Sequence, residues 1–133
     1  MQVVVPMESF PEPGTVDNPA VLYDGHDVVV CYEASVRAGG GNVVLRFGHV
    51  IDFRVSPMNV DGLGDCRYPI EPWAFNEILG GEETSRWQVL APRFWLISFR
   101  DVTIEILFGT VAFISRDNEG GPQHKTLISA LAG

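Results

Sequence analysis

The sequence predicts a mainly β domain of the α+β class: an antiparallel sheet, sandwich or half-open barrel of about six strands with one short helix. Two observations predict it. Apolar and polar residues alternate with a period of two in several segments, which is typical of strands with one buried face. Turns rich in glycine, proline and asparagine separate these segments, and the sequence lacks the strand–helix–strand rhythm of a parallel sheet.

The amino-terminal half begins with an irregular arm and continues with a long hairpin. Prolines and a glycine crowd the first nineteen residues, so we expect residues 1–19 to form the arm and residues 20–133 a β-rich body of the same single domain. Apolar residues occupy the even positions of 27–37 and the odd positions of 43–55. The GGGN turn between them predicts a hairpin, and Gly48 predicts a bulge or a bend within its second strand.

The remaining elements are shorter. Residues 56–69 are dense in turn formers and predict a loop. Residues 71–79 predict the helix, because Pro72 suits a first turn and Gly80-Gly81 would end it. We expect further strands at 85–90, 93–99, 101–108 and 110–115, a turn at 117–122, and a tail from residue 124, frayed or with a helical turn.

Charge excludes several classes of function. Seventeen acidic residues against nine basic ones give a net charge of −8. Nucleic-acid binding and attachment to anionic lipid both need a basic surface, so we expect neither a nucleic-acid nor a membrane partner. The start of the chain lacks the basic and apolar regions of a signal peptide, which favours a cytoplasmic protein of bacterial type. Two cysteines, Cys31 and Cys66, are too few for a disulfide scaffold, and two free thiols are favoured over one bridge.

Candidate chemistry is sparse. The histidines and cysteines do not have the spacing of a zinc site, and the sequence contains no nucleophile elbow, so we expect no metal, no cofactor and no catalytic residue. His49 lies on the apolar face of the predicted strand 43–55. The favoured interpretation is a core histidine that hydrogen-bonds the backbone, or a histidine near Gly48 where the strand bends to the surface. The alternative is a base or ligand at the floor of a pocket.

Two polar faces form the candidate binding site. Arg46, Asp52 and Arg54 share one side of a predicted strand. Asp101, Thr103 and Glu105 share one side of another. If the strands are neighbours, these residues form either a solvated face with cross-strand ion pairs, which is favoured, or a binding face.

The strand 93–99 is apolar on both faces, with Trp95, Ile97 and Phe99 on one of them. Such a strand is either covered twice within the chain or exposed at an interface. The short helix or a second subunit could cover it. We favour the second subunit, and therefore predict a homodimer with these three residues at its interface.

One segment carries a resemblance. RFWLISFRDVTIEILF, residues 93–108, resembles a pattern in small uncharacterised bacterial domains, some of them of the immunity-protein type, in which an aromatic strand runs into Asp-x-Ser/Thr-x-Glu. The resemblance covers sixteen of 133 residues. It implies a toxin-neutralising or other protein-binding domain, and an acidic surface would suit a basic partner.

Two functions follow from these observations. The favoured one is a small acidic, non-enzymatic protein-interaction domain, immunity-like and homodimeric. The alternative is a small-molecule-binding β-barrel or a hydrolase with a pocket near His49 and Glu105. The alternative needs an accessible His49 or Glu105 beside another titratable group, whereas the interaction domain needs an exposed apolar or acidic patch.

Overall fold

The computed structural model describes residues 1–132, which form two antiparallel sheets. Their strands are β1 (Gln2–Val4), β2 (Ala20–Tyr23), β3 (Val28–Glu33), β4 (Asn42–Gly48), β5 (Asp52–Ser56), β6 (Phe75–Leu79), β7 (Arg93–Ser98), β8 (Thr103–Phe108) and β9 (Thr110–Asp117). The helices are α1 (Glu82–Arg86) and α2 (Gln123–Ala132), with 3-10 turns at Val60–Asp65 and Gln88–Leu90. One sheet has the order β1-β6-β7-β8-β5 and the other β2-β3-β4-β9. The predicted antiparallel, mainly β class is confirmed, and the sheets do not close into a barrel.

The predicted long hairpin is confirmed. Strands β3 and β4 pair antiparallel from Val28 opposite Phe47 to Glu33 opposite Asn42. The three glycines of the turn have φ of 98°, 64° and 80°, values that side chains disfavour. A Cβ added at Gly41 would lie 2.7 Å from the carbonyl oxygen of Asp117, so this position requires glycine.

The second strand of that hairpin is shorter than predicted. Strand β4 ends at Gly48, His49 adopts a left-handed φ of 52°, and the chain re-enters as β5 in the opposite sheet. The prediction of one strand over 43–55 is therefore wrong. The odd residues Val43, Leu45 and Phe47 of β4 are buried in the core, and Phe53 of β5 still packs against it, although Val55 is 44% exposed. The alternation therefore continues through most of the break and does not reveal it.

The predicted helix and one predicted strand are also wrong. Residues 75–79 form β6, which pairs with β1 on one side and β7 on the other. The Asn76 amide fixes the turn before it by bonding the backbone of Glu71 and Ala74. Residues 82–90, expected to contain a strand, form α1 and a 3-10 turn instead, and neither buries a residue. Pairing between distant strands overrides the local pattern in both places.

Both ends of the described chain are more ordered than predicted. The arm contributes β1 to the five-stranded sheet, and Glu8 accepts hydrogen bonds from Arg93 of β7 at 2.6 and 2.8 Å. These hydrogen bonds hold the pKa of Glu8 below its usual value. The tail forms α2, whose Leu127 packs on Val29 and Cys31 of β3.

The core lies between the two sheets. Thirteen buried residues from β3, the turn after it, β4, β7 and its end, and β8 form it. Trp95 and Ile97 are 0% exposed and Phe99 is 1% exposed in this core. The prediction that these three residues form a subunit interface is therefore wrong, because side chains buried between the sheets cannot contact a second chain.

The other face of β7 is covered within the same chain. Phe94 and Leu96 pack against Tyr68, Ile70 and Ile78, so the loop before β6 covers this side of the sheet. Both cysteines are free, as predicted. Within residues 1–132, the helices are too short or too polar to cross a membrane.

We expect Trp95→Ala to lower the free energy of unfolding by about 3–5 kcal/mol, because it leaves a large cavity between the sheets. Denaturant unfolding followed by circular dichroism measures the loss. Trp87→Ala is the matched control, since Trp87 is 43% exposed and its loss should change stability by about 0.5 kcal/mol or less. Equal losses for the two variants would contradict the placement of Trp95.

Candidate functional site

A cleft of about 380 Å³ lies on the outer face of the five-stranded sheet. Strands β5 and β8 and the start of β7 form its floor, and α1 with Trp87 forms one wall. The loop before β6 contributes Arg67. The cleft is lined by Asp52, Phe53, Arg54, Arg67, Glu82, Glu83, Arg86, Trp87, Phe94, Glu105 and Leu107.

Glu105 is at the centre of the polar side of the cleft. It lies opposite Arg54 across the β5–β8 pair, which brings the two side chains together. Arg54 Nη2 binds Glu105 Oε2 at 3.0 Å, and Arg67 Nη2 binds Glu105 Oε1 at 3.0 Å. Only 13% of the Glu105 side chain is exposed, whereas both arginines are more than half exposed. Each pair therefore adds little stability, about 0.2–1 kcal/mol, but together they orient the arginines.

Glu83 extends this network to the covering loop. Arg67 Nη2 also binds Glu83 Oε1 at 2.8 Å, and the Tyr68 hydroxyl donates to Glu83 Oε2. Burial, followed by this bond to a carboxylate, raises the pKa of Tyr68 to about 12. The network thus ties α1, the loop and β8 together around one side of the cleft.

An exposed apolar segment borders the cleft. Trp87, Val89 and Leu90, here called the apolar hook, are 43%, 94% and 60% exposed. Hydrogen bonds from Leu90 N–H to the Trp87 carbonyl and from Ala91 N–H to the Gln88 carbonyl fix its shape. Ala91 ends it with a left-handed φ of 48°. Three large apolar side chains are therefore presented to solvent on a short turn, and one of them, Trp87, also lines the cleft.

Three of the six predicted polar-face residues line the cleft, namely Asp52, Arg54 and Glu105. They are neighbours because β5 and β8 pair in register, the condition under which the two predicted faces become one. The structure therefore brings half of the predicted set together at a cavity.

The other three predicted residues lie elsewhere. Arg46 is in the opposite sheet, where its Nη1 binds Asp27 Oδ2 at 2.9 Å. Asp101 lies in the turn between β7 and β8 and is held by Asn18. Thr103 is 1% exposed, and its hydroxyl donates to the Met58 carbonyl. Including Arg46 with Asp52 and Arg54 was wrong because the chain changes sheet at His49.

His49 is exposed at the turn between β4 and β5 and lines a separate cavity with Asp27, Arg46 and Thr110. Glu105 lines the cleft described above. His49 is not a core residue; it lies where the chain turns to the surface directly after Gly48, which is the other form of the favoured interpretation. A single pocket containing both His49 and Glu105 is wrong. His49 shares its cavity with Asp27 and Arg46, which pair with each other, whereas Glu105 binds Arg54 and Arg67 directly.

Several residues of the site were not predicted. Arg67 and Glu83 are separated by a loop and a strand, and only the fold brings them to Glu105. Trp87 and its neighbours were predicted to belong to a strand. The available signal was an apolar WQVL run directly after a glycine-capped acidic turn, EETSR, which suits the end of a short helix.

Within residues 1–132, no three histidine, cysteine, aspartate or glutamate side chains cluster closely enough to hold a metal ion. Comparisons of the chain with protein-family models, with curated proteins and with solved structures give no match. The geometry of the cleft and the hook is therefore the basis for a function.

We expect the pH dependence of stability to report on Tyr68. Its pKa rises from about 10 in the unfolded chain to about 12 in the folded one, so the folded state holds this proton more tightly. The resulting contribution of about 2–3 kcal/mol is present below pH 10 and is lost as the pH rises toward 12. The free energy of unfolding of Tyr68→Phe, measured across this range, should fall less steeply than that of the wild type.

Glu83→Gln tests the cause. It replaces the carboxylate that accepts the hydrogen bond of the Tyr68 hydroxyl by a neutral amide, so the pKa of Tyr68 should move down. It should stay above its ordinary value, because burial is the larger cause. If the free energy of unfolding falls equally steeply with pH for the wild type and Tyr68→Phe, the assignment of this pH dependence to Tyr68 is contradicted.

Proposed function

We propose that this chain is a non-enzymatic protein-interaction domain that binds a basic partner protein through the apolar hook and the adjacent cleft. The observation that carries the proposal is the exposure of Trp87, Val89 and Leu90 on one short, hydrogen-bonded turn. Contiguous apolar groups on a soluble surface are typical of interaction sites, and tryptophan is enriched among the residues that dominate binding energy.

The charge of the cleft supports a basic partner. Arg54 and Arg67 are matched by Glu105 and Glu83, which neutralise them. The remaining charged lining residues are Asp52, Glu82 and Arg86, which within residues 1–132 make no ion pair and leave one net negative charge. The net charge of −8 acts in the same direction over a longer range and would speed association with a basic protein.

A more specific form of the proposal is a toxin-neutralising, immunity-like role in the cytoplasm. The resemblance of residues 93–108 to such domains and the acidic character of the chain support it. The partner would then be a basic toxin such as a nuclease, whose active surface an acidic domain can cover.

The experiment is capture of partners with the purified protein as bait, at low and high salt, followed by affinity measurement with the captured protein. We expect one stoichiometric basic protein that is released by salt. Trp87→Ala should weaken its binding by tenfold or more, as removal of a central aromatic anchor does.

Val89→Ser and Val36→Ser form a matched pair for the same measurement, because both valines are 94% exposed and only Val89 belongs to the hook. We expect Val89→Ser to weaken binding and Val36→Ser to leave it unchanged. Equal effects of the two substitutions, or no basic partner at all, would overturn the proposal.

Binding of a small organic cation is a second candidate function, because a cleft of about 380 Å³ is within the size range of small-ligand sites. The aromatic and aliphatic lining, Phe94, Trp87 and Leu107, would hold an apolar chain. The carboxylates Asp52 and Glu82, which outnumber Arg86 by one, would favour a positive head group, to which the indole of Trp87 adds a cation–π partner.

Titration with n-butylguanidinium, followed by the NMR signals of the Trp87 indole and the Leu107 methyls, tests this candidate. We expect saturable shifts that neutral n-butylurea and anionic pentanoate do not produce. The variant Asp52→Asn/Glu82→Gln should abolish the shifts. The charge-matched control Asp61→Asn/Glu119→Gln, at exposed acids outside the cleft, should retain them. Equal shifts with pentanoate would show that the cleft does not select a positively charged ligand and would contradict this candidate.

A further inference from the structure

A row of three hydroxyl groups crosses the outer face of the five-stranded sheet. Thr103 of β8 lies opposite Ser98 of β7 on one side and opposite Ser56 of β5 on the other. Residues directly opposite each other on paired strands point to the same face of a sheet. Leu107 follows Thr103 at an even spacing and packs on the outer side, so the three hydroxyls point outward as well. Three adjacent strands therefore present a hydroxyl at the same level.

The row is buried, but only its centre is hydrogen-bonded. Ser98 and Thr103 are 0% and 1% exposed, and the hydroxyl oxygen of Ser56 is shielded from solvent. The Thr103 hydroxyl donates to the Met58 carbonyl in the loop before β6. Within residues 1–132, the hydroxyls of Ser56 and Ser98 have no hydrogen-bond partner. Buried hydroxyls without a partner are costly and rare, so these two serines point to a ligand that the chain itself does not supply.

The spacing of the row fits one water molecule on each side of Thr103. Cβ atoms that lie directly opposite each other on antiparallel strands are about 4.5–5.5 Å apart. Two hydrogen bonds of about 2.8 Å that meet at the tetrahedral angle of a water span about 4.6 Å. A single water can therefore bridge each pair of neighbouring hydroxyls in the row.

Donors and acceptors match as well. A threonine hydroxyl donates one hydrogen bond and accepts two. Thr103 uses its proton on Met58, so both of its acceptor positions are available, one toward each serine. A water that donates to Thr103 and binds the neighbouring serine has two protein partners, which is within the range found for buried waters.

We propose that two ordered water molecules bind in this row, one between Ser98 and Thr103 and one between Thr103 and Ser56. The ligand is neutral because the row contains no charged side chain, and a bound Ca²⁺ would need six to eight oxygen ligands. Glu105 follows Thr103 by two residues on the same face, so the hydrated row adjoins the polar side of the cleft.

Oxygen-17 magnetic relaxation dispersion of the solvent, in solutions of the whole chain, tests the proposal. The method counts water molecules that stay bound for longer than the protein takes to tumble, and hydroxyl protons do not contribute to it. We expect Ser98→Ala and Ser56→Ala each to lower the dispersion amplitude by the contribution of one water. Thr103→Val removes the acceptor that both waters share, so it should lower the amplitude by two.

Ser115→Ala is the matched control, because Ser115 is a half-buried strand serine in the other sheet. It should leave the dispersion amplitude unchanged. Circular dichroism checks that each variant is folded. Amplitudes that stay at the wild-type value in all three row variants would contradict the proposal.

The denaturation midpoint of Ser98→Ala gives an independent measurement. Removal of a hydroxyl that binds water lowers the midpoint, whereas removal of a buried hydroxyl without any partner raises it. We expect a lower midpoint for Ser98→Ala than for Ser115→Ala. A midpoint above that of the wild type would show that the Ser98 hydroxyl binds no water.

Discussion

Edge-to-face packing around Trp95 holds the two sheets together. The centroid of its ring lies 5.5 Å from that of Phe47 in the opposite sheet. The centroids of Phe75 and Phe108, in its own sheet, lie at 5.6 and 5.2 Å. The guanidinium of Arg93 lies over the same ring at 5.3 Å and binds Glu8 and Glu77. The aromatic cluster therefore fixes the distance between the sheets, and the ion pair between Arg93 and Glu8 at its edge fixes the path of the amino-terminal arm.

The cleft exists because the outer face of the five-stranded sheet is only partly covered. Where that face is apolar, at Leu96 and Ile78, the loop containing Tyr68 packs directly on it. Where it is polar, at Glu105 and Arg54, the loop reaches the sheet through the Arg67–Glu105 ion pair, and α1 joins this network through Glu83. Charged side chains keep these segments hydrated and apart from the strands, so a cavity remains between them.

Sequence alternation predicted the strands well and the chain path poorly. The β3–β4 hairpin and the β7–β8 pair were predictable because pairing there is local. Strand β9 was predictable because Gly109 separates it from β8, although it pairs with the distant β4. The change of sheet at His49 was not predicted, because Gly48 indicated only an interruption of the strand and the alternation does not show which sheet the next strand joins. Strand β6 failed for a related reason, since its neighbours β1 and β7 come from distant parts of the chain. Asp52, Arg54 and Glu105 were predictable as neighbours because they lie on β5 and β8, which pair in register. Arg67 and Glu83 were not predictable, because only the folded chain brings them to Glu105.

The two thiols of this chain differ in burial, and their reactivities should therefore differ as well. Cys31 is 0% exposed beneath α2, and burial raises its pKa to about 11, so its reactive thiolate is almost absent near neutral pH. Cys66 lies half-exposed in the loop that covers the five-stranded sheet. Alkylation of Cys31 therefore requires displacement of α2 or global unfolding. The rate of alkylation measures how often these openings occur. Cys66 is thus a site for attaching a probe, and the alkylation rate of Cys31 reports the detachment of α2.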